Sequence, residues 1–275
     1  MKNLPDVQNS QAEIQIELSR VGVKNLKLPI KISTKATQNA YKPEELSFQH
    51  TVADVDIFVN LDADKKGANM SRGPVILQKN QNLNNPLNQN NLIMIAEEIR
   101  LANEAKICEL IYRFDYFIKR PSPVTKLNGL VHYPTTFQAV VTEQSSSFHM
   151  QVDVPVTSLC PCSKEISNDG GAHNQRCTIR IHCLPREKQW IWIEDLIDIA
   201  EKSGSCPVYS ILKRPDEAYI TDIAYNNPKF VEDIVREAYQ KMLHLNTRGF
   251  YVEATSDESI HTHAAYAKSY YNYCG

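Results

Sequence analysis

Alternating hydrophobic and polar positions predict that much of this chain forms β-strands. In residues 46–62, apolar side chains recur at Val52, Val55, Ile57 and Val59 with one slip of register, a pattern typical of a strand with one buried face. Comparable patterns predict strands at 21–33, 46–62, 108–120, 137–158, 177–185 and 248–259. The segment 137–158 is long enough for either one strand or a long hairpin.

Hydrophobic residues spaced near 3.6 positions apart predict helices. The first shows this spacing at Leu92 and Ile95. We expect Gly204 to close the second helix. The third has Asn227 as its expected N-cap and Pro228 at its first helical position. The predicted helices cover 92–107, 192–204 and 227–243.

The order of these elements favours an α+β fold built on antiparallel sheets. A loop is expected at 65–74, which carries glycine and proline, and a loop or a helix entry is expected at 78–91, which carries seven asparagines. Strands and helices recur in a similar order along the two halves of the chain. We therefore interpret residues 1–150 and 151–275 as two domains related by duplication.

Composition excludes some classes of function. The chain has 275 residues, 42% of them hydrophobic, and a formal net charge of -2; this supplies a core but no electrostatic footprint for nucleic acid. No apolar run approaches the ~18 residues that span a bilayer, and the N-terminal segment has no apolar signal region. We expect a cytoplasmic protein with no membrane or nucleic-acid partner, whose seven cysteines are reduced.

The most informative stretch is 154–176, VPVTSLCPCSKEISNDGGAHNQR, which places two thiols near a carboxylate and a histidine. Only Pro161 separates Cys160 from Cys162. This spacing is too tight for a zinc-knuckle pair, so we expect at most one of the two to bind metal. Lys164 is close enough in sequence to favour the thiolate form.

A second cluster of ligand side chains, ESIHTH, lies far downstream at 258–263. His261 and His263 point the same way if the segment is a strand and diverge if it is a helix. Taken singly, Cys160 and His173 could be a buried thiol and an ordinary loop residue. The recurrence of acids and histidines in a second cluster favours one metal site whose halves are joined by folding.

Together these motifs resemble the prokaryotic type IB GTP cyclohydrolases. The similar segments are SLCPCSKEIS followed by GAHNQR, LKRPDEAYIT (212–221), NPKFVEDIVRE (227–237), ESIHTHAAYA (258–267), LPDVQ (4–8), VGVKNLKLPI (21–30) and GANMSRG (67–73). The resemblance covers most of the chain and is weakest between about 74 and 150. It implies a tunnelling fold, an antiparallel sheet backed by helices, in two tandem copies per subunit.

The resemblance also implies an activity and an assembly. GTP and water would give 7,8-dihydroneopterin triphosphate and formate, the first step of tetrahydrofolate and pterin synthesis, which in some bacteria also serves queuosine. The enzyme would use a divalent metal, Zn²⁺ or Mn²⁺. It would form a homotetramer with active sites at subunit interfaces.

Carried over residue by residue, the resemblance implies a metal site, a catalytic set and a substrate site. The implied metal ligands are Cys160, His173, Glu217 and His261. The implied catalytic residues are Cys160, His263 and Glu258. The implied substrate-binding residues are Glu232, Arg72, Arg176 and Lys164. Glu232 would accept the guanine N1–H and 2-amino hydrogens as a fork, whereas by sequence pattern alone it would be a solvated helix residue. No GxxxxGK[ST] loop is present, so side chains and loop amides must hold the triphosphate.

Several features depart from the family pattern. Asn69 stands where the family has histidine, and Gly73 replaces an aromatic residue. The loop NDGGAH carries an apparent extra glycine, which puts the position of His173 relative to Cys160 in question. The asparagine-rich segment 78–91 is also atypical.

Three other hypotheses stay open at this point. One is a different pterin or purine transformation on the same fold, against which the full set of four metal ligands argues. Another is a purine- or pterin-binding regulator that keeps Glu232 and has lost turnover. The third is a structural zinc protein, in which all four ligands are used and no position is open for water. Metal removal would unfold such a protein, whereas a catalytic site would lose activity first.

Overall fold

The computed structural model describes residues 7–35, 47–80, 85–186 and 190–273. The strands are β1 (Leu18–Thr34), β2 (Ser47–Leu61), β3 (Ile107–Pro121), β4 (Asn128–Thr142), β5 (Ser146–Leu159), β6 (Asn174–Pro185), β7 (Cys206–Pro207), β8 (Thr247–Asp257) and β9 (Ala264–Tyr271). The helices are α1 (Arg72–Asn80), α2 (Gln89–Ala102), α3 (Pro161–Ile166), α4 (Ile193–Glu201), α5 (Arg214–Asn226) and α6 (Val231–Met242). Among these helices, none is long and apolar enough to cross a membrane.

The chain divides into two compact units. The first contains the described residues up to Phe114 together with Thr136–His149, and the second contains Asp115–Thr135 and the described residues from Met150 onward. β3, β4 and β5 therefore each contribute residues to both units. A division into two duplicated halves, at residue 150, stays a prediction.

In the first unit, β1, β2 and β3 form consecutive antiparallel pairs. Aromatic rings anchor its core: Phe137 packs edge-on against both Phe114 and Phe148, with ring centroids 5.2 Å apart in each case. α2 buries one side of its surface through residues at helical spacing, which are Leu92, Ile95, Ala96 and Ile99.

In the second unit, the sheet runs β5-β6-β8-β9, and the short β7 also pairs with β5, at Val156 and Thr157. α6 packs on β8 and β9, and α4 packs on β6 and α6. Side chains alternate between the two faces of each strand, so a helix that packs on a strand covers only one of its faces. The other face carries ion pairs, in which Arg180 of β6 meets Asp153 of β5 at 2.7 Å and Glu253 of β8 at 3.0 Å.

All the predicted strands are present, with shifted ends. The segment 137–158 is the hairpin alternative, because β4 ends at Thr142 and β5 begins at Ser146. β9 was missed, and so were α1, α3 and α5. The predicted loop at 65–74 is irregular up to Ser71 and then enters α1.

The predicted helix at 92–107 starts earlier and ends earlier, at Gln89–Ala102. Asn88 sets its start, since the Asn88 side chain accepts a hydrogen bond from Asn91 N–H at 3.0 Å and Asn91 Oδ1 accepts one from Asn88 N–H at 2.9 Å. This is a capping box built from two asparagines. It confirms a helix entry in the asparagine-rich segment, of which residues 81–84 lie outside the described part of the chain.

Two predicted helix boundaries are wrong. Asn227 does not start α6, which follows Phe230; it ends α5. Gly204 does not close α4, whose C-cap is Lys202. Gly204 instead approaches β5 so closely that a Cβ there would lie 2.6 Å from the Cβ of Val156. The glycine is needed for close packing rather than for helix termination.

Candidate active site

Four strand ends of the second unit meet at one edge of the sheet. β5 ends at Leu159, which pairs with Asn174 at the start of β6, and β8 ends at Asp257, which pairs with Ala264 at the start of β9. Adjacent antiparallel strands end at a common edge, so the loops after β5, before β6 and between β8 and β9 lie close together. This edge carries both of the ligand-rich sequence motifs.

Cys160 lies at this edge as the N-cap of α3. Its Sγ accepts a hydrogen bond from Ser163 N–H at 3.5 Å, and its own N–H donates to His173 O at 3.1 Å. Ser163 Oγ links the same two residues, because it donates to Cys160 O at 3.1 Å and accepts from His173 N–H at 3.2 Å. The backbones of Cys160 and His173 are therefore fixed to each other despite the longer glycine loop.

Cys160 and Cys162 are the accessible thiols among the described cysteines, the others being buried. Burial raises the pKa of Cys177 and Cys183 to about 12 and that of Cys206 to about 11. A thiol with so high a pKa stays protonated at neutral pH and is a poor ligand or nucleophile. Thiolate chemistry in the described chain is therefore restricted to the C-P-C motif.

The side chain of His173 belongs to a hydrogen-bonded network with Gln175 and Glu258. His173 Nδ1 lies 2.7 Å from Gln175 Oε1 and 3.9 Å from Glu258 Oε2. Gln175 Nε2 donates to Glu258 Oε1 at 3.2 Å, and Ser259 Oγ donates to Gln175 Oε1 at 3.5 Å. The network connects the start of β6 to the loop after β8.

A cavity of about 330 Å³ opens beside this network. That volume is at the small end of the range for sites that hold a metabolite. Cys160 and the loop between β8 and β9 form one part of the wall, and the start of α6 forms another. The polar side chains on its wall are Ser158, Cys160, Gln175, Lys229, Glu232, Glu258, His261 and His263, with Phe230 and Tyr266 beside them.

His261 and His263 lie in the bend between β8 and β9, not in a strand or helix as the sequence alternatives assumed. Their rings nonetheless stack, with centroids 5.0 Å apart and planes at 21°. Both side chains are exposed at the mouth of the cavity. Two imidazoles stacked at an open edge are accessible to metal or to substrate.

Glu232 lies in the first turn of α6, where the helix dipole favours a carboxylate. The helix start is attached to β5, since Lys229 N–H donates to Leu159 O at 3.0 Å and Ser158 Oγ donates to Lys229 O at 2.9 Å. The Lys229 ammonium is turned toward Glu237, with which it forms an ion pair. Glu232 is left exposed on the cavity wall.

His173, Glu217 and Lys164 are not among the residues of this wall, although His173 contacts Gln175, which is. Glu217 is exposed on the first turn of α5. Lys164 Nζ donates to Tyr225 O at 2.5 Å and lies 4.1 Å from the centre of the Tyr225 ring. The ammonium is thus engaged by α5 rather than directed at the Cys160 thiol, as the sequence spacing had suggested.

The two arginines chosen for the triphosphate lie elsewhere. Arg176 follows Gln175 along β6 and so points to the opposite face of the sheet, where it lines a separate cavity of about 220 Å³ with Thr157 and Asn174. Arg72 belongs to the first unit, at the start of α1, and donates to Ala102 O at 2.6 Å.

Close packing against Ile57 explains why a glycine is favourable at position 73, where the family pattern has an aromatic residue. A Cβ at this position would lie 2.9 Å from Cδ1 of Ile57 on β2. A side chain here would have to displace the end of the Ile57 side chain, and glycine avoids this contact between α1 and β2. Nothing in the structure explains Asn69 in place of histidine.

The cavity offers the right kinds of atom for a divalent metal. A thiol, two imidazoles and carboxylates form a mixed soft and hard donor set that suits Zn²⁺ and tolerates Mn²⁺. In the described part of the chain, however, no three His, Cys, Asp or Glu side chains are already arranged around a common point. The residues fit a metal by chemistry, and they would need to converge on it.

Gln175, Lys229 and Tyr266 border the cavity and were missed by the sequence analysis. Gln175 could have been found, because it follows His173 by two positions and strand periodicity places both on one side. Lys229 and Tyr266 carry no such signal. They reach the cavity through the loop before α6 and through β9, which was not predicted.

The cavity lies on an α+β scaffold and is surrounded by a thiol, imidazoles and carboxylates. This arrangement is typical of enzymes that act on small molecules. Among solved structures, the chain is similar in fold to a uricase from Bacillus fastidious, with TM-score 0.52 and 9% identity over 92% of this chain and 93% of that one. A uricase from Arthrobacter globiformis gives TM-score 0.51 and 6% identity, covering 92% of each chain. These likenesses concern the fold alone.

Sequence comparison is more specific. The model of the family GCHY-1, type I GTP cyclohydrolase folE2, matches residues 4–267. GTP cyclohydrolase FolE2 of Nitratidesulfovibrio vulgaris (strain Hildenborough) is 43% identical over 265 residues, 96% of this chain and 95% of the relative. GTP cyclohydrolase FolE2 of Dictyoglomus thermophilum is 44% identical over 266 residues, 95% of this chain and 96% of the relative. The chain belongs to the type I GTP cyclohydrolase folE2 family.

Proposed function

We propose that this chain hydrolyses GTP to 7,8-dihydroneopterin triphosphate and formate in the cavity beside Cys160, with the help of a divalent metal. The reaction is the first step of tetrahydrofolate and pterin synthesis. The observation that carries the proposal is one cavity that collects Cys160, Glu258, His261, His263 and Glu232 from sequence segments far apart. Each of these side chains supplies a function that ring opening needs.

Glu232 would recognise the base. Its carboxylate can accept two hydrogen bonds from guanine N1–H and the 2-amino group, a pair of donors that adenine lacks. Glu232 lies in the first turn of α6, where the helix dipole is complementary to a negative charge. Phe230 and Tyr266, on the same wall, can pack against the rings.

The metal would be held by Cys160, His173 and His261, with Glu217 as the fourth ligand that the family resemblance implies. When bound, a divalent ion would supply an acidified water for addition to C8 of the purine. Glu258, on the cavity wall, would act as the general base for the attacking water. His263 would protonate the departing ring nitrogen.

Arg72, Arg176 and Lys164 are proposed to bind the triphosphate, although none of them lines the cavity within this chain. Glu217 is likewise exposed and outside the cavity. An incomplete site at an open edge is what a site shared between subunits requires. We therefore propose a homotetramer with active sites at its interfaces, built from subunits with two tandem tunnelling-fold copies.

The test is an assay of GTP turnover on chelator-treated protein, before and after addition of Zn²⁺ or Mn²⁺. Formate release and the fluorescence of oxidised neopterin are followed together, while circular dichroism monitors the fold. Activity that appears only with metal, on a fold that does not need it, supports a catalytic metal site. Unfolding on chelation would support a structural metal instead, and a folded, metal-loaded protein without product would refute the proposed reaction.

A further inference from the structure

Gln175 is a buried amide to which the proposed mechanism assigns no step. Its residue surface is 6% exposed, so it is a buried polar side chain of the second unit. It nevertheless reaches the wall of the catalytic cavity. Burying an amide costs free energy unless its N–H groups and its oxygen are hydrogen-bonded. The hydrogen-bond partners of Gln175 therefore indicate its function.

The partners of Gln175 fix which way its amide points. An ionised carboxylate only accepts hydrogen bonds, so the group that faces Glu258 Oε1 at 3.2 Å must be the NH₂ of Gln175. Its Oε1 then faces His173 Nδ1 at 2.7 Å and also accepts from Ser259 Oγ at 3.5 Å. An amide oxygen cannot donate, so the proton in the contact with His173 must lie on Nδ1.

We propose that Gln175 is a positioning residue for this reaction, which holds His173 as the Nδ1–H tautomer and fixes the Glu258 carboxylate beside it. The lone pair of His173 is thereby placed on Nε2, where it can bind a divalent metal. The inference rests on the proposed function for its catalytic consequence. The tautomer itself is a property of the metal-free protein.

Glu258 reinforces this arrangement. Its Oε2 lies 3.9 Å from His173 Nδ1, so it adds a favourable charge on the side of the ring that carries the proton. Histidines that ligate metals in proteins characteristically donate their second ring N–H to a nearby acceptor, which orients the ring. Here that acceptor is an amide, which is itself anchored to a carboxylate of the same site.

Two substitutions separate the two contacts of Gln175. Gln175→Met keeps the length of the side chain and removes both contacts. Gln175→Glu keeps an oxygen that can accept from His173 but removes the donor to Glu258. Gln151→Met serves as the matched control, because Gln151 is also a partly buried strand glutamine with polar partners, Asp153 and Tyr251, but it lies outside the cavity.

The first measurement is the histidine tautomer in metal-free protein, by long-range ¹H–¹⁵N correlation on ¹⁵N-histidine-labelled samples at a pH where the rings are neutral. His173→Gln identifies the signal. We expect the Nδ1–H pattern for His173 in the unaltered protein, in Gln175→Glu and in Gln151→Met, and its loss in Gln175→Met. An Nε2–H pattern in the unaltered protein would overturn the inference, whatever the enzyme's activity.

The second measurement is Zn²⁺ affinity by competition with a chromophoric chelator. Losing a partner of a metal-binding histidine commonly weakens binding by about 10–100-fold, and we expect this for Gln175→Met but not for Gln151→Met. At saturating metal, kcat for GTP should fall while KM changes by less than about twofold, because Gln175 does not contact the guanine anchor. Unchanged affinity and kcat in a folded Gln175→Met protein would refute a positioning function. Absence of turnover in the unaltered protein would instead refute the proposed reaction and leave the tautomer result standing.

Discussion

Replacing Glu232 by Gln is the substitution that most directly tests how the base is recognised. The side chain keeps its shape and loses its charge, so one of the two acceptors for guanine becomes a donor that opposes the ring hydrogens. Glu232 is exposed in the first turn of α6 and packs no core surface. The substitution should therefore leave the fold unaffected, and its effect should appear only in kcat/KM for GTP.

The expected loss follows from the exposure of the carboxylate. A hydrogen bond to a charged group contributes roughly 1.5–3 kcal/mol, and an exposed partner belongs at the low end of that range. Two such bonds give about 3 kcal/mol as the upper bound of the loss, and the one acceptor that Gln keeps, together with solvent screening, lowers the loss to about half of this sum. At 1.36 kcal/mol per factor of ten, kcat/KM for GTP should fall by about 10-fold to 150-fold.

The assay compares kcat/KM for GTP and for ITP, which lacks the 2-amino donor. The unaltered protein should favour GTP, and Glu232→Gln should lose most of that preference. The matched control is Asp222→Asn, which removes an exposed carboxylate from α5 away from the cavity. If Glu232→Gln lowers kcat/KM no more than the control does, or keeps the preference for GTP, Glu232 is not the guanine anchor.

Two further predictions concern stability. Asp216 is buried and accepts hydrogen bonds from Val124 N–H, Thr125 N–H, Thr125 Oγ1 and Lys213 N–H, which together outweigh the effect of burial and lower its pKa. The stability that ionised Asp216 contributes should be complete at neutral pH, should decline below the unfolded pKa of about 3.9 and should vanish only below the folded pKa. Urea unfolding should show that Asp216→Asn is less stable than the unaltered protein at pH 7, and that the difference in free energy of unfolding narrows in acid. A difference that does not depend on pH would contradict this. Gly204→Ala should lower the free energy of unfolding by about 1–3 kcal/mol, and Tm with it, because the added methyl group overpacks against β5. Gly67→Ala is the control and should leave Tm unchanged, since a Cβ there would meet nothing nearer than 3.7 Å. Equal melting temperatures for the two variants would show that β5 shifts to accommodate the methyl group without cost.

The sequence predicted strands better than helix ends, for a physical reason. Alternation over a long strand is repeated many times, whereas a helix end depends on one or two local contacts. Asn227 has the residue type and following proline of an N-cap, yet its side chain bonds to Gly204 O at 3.1 Å and Ser205 O at 3.0 Å, and it ends α5. α5 was missed because it buries little, with only Asp216 and Ala224 fully covered.

The residue types in the sequence motifs predicted the candidate site. Which of the predicted residues lie close together is determined by the fold. The C-P-C motif and ESIHTH lie at one edge because β5, β6 and β8 are neighbours. The alternation along β6 could have shown that Arg176 and Gln175 face opposite sides. The orientation of Lys164 could not have been predicted, because it depends on Tyr225 of α5, far away in the sequence.

The central claim is that the cavity beside Cys160 turns over GTP, and the paired variants Cys160→Ala and Cys162→Ala test it most directly. Both remove an accessible thiol from the same motif, but only Cys160 lines the cavity. With metal-reconstituted protein, we predict neopterin and formate from the unaltered protein and from Cys162→Ala, and none from folded Cys160→Ala. Equal turnover by the two variants, or product from neither the variants nor the unaltered protein, would contradict the account.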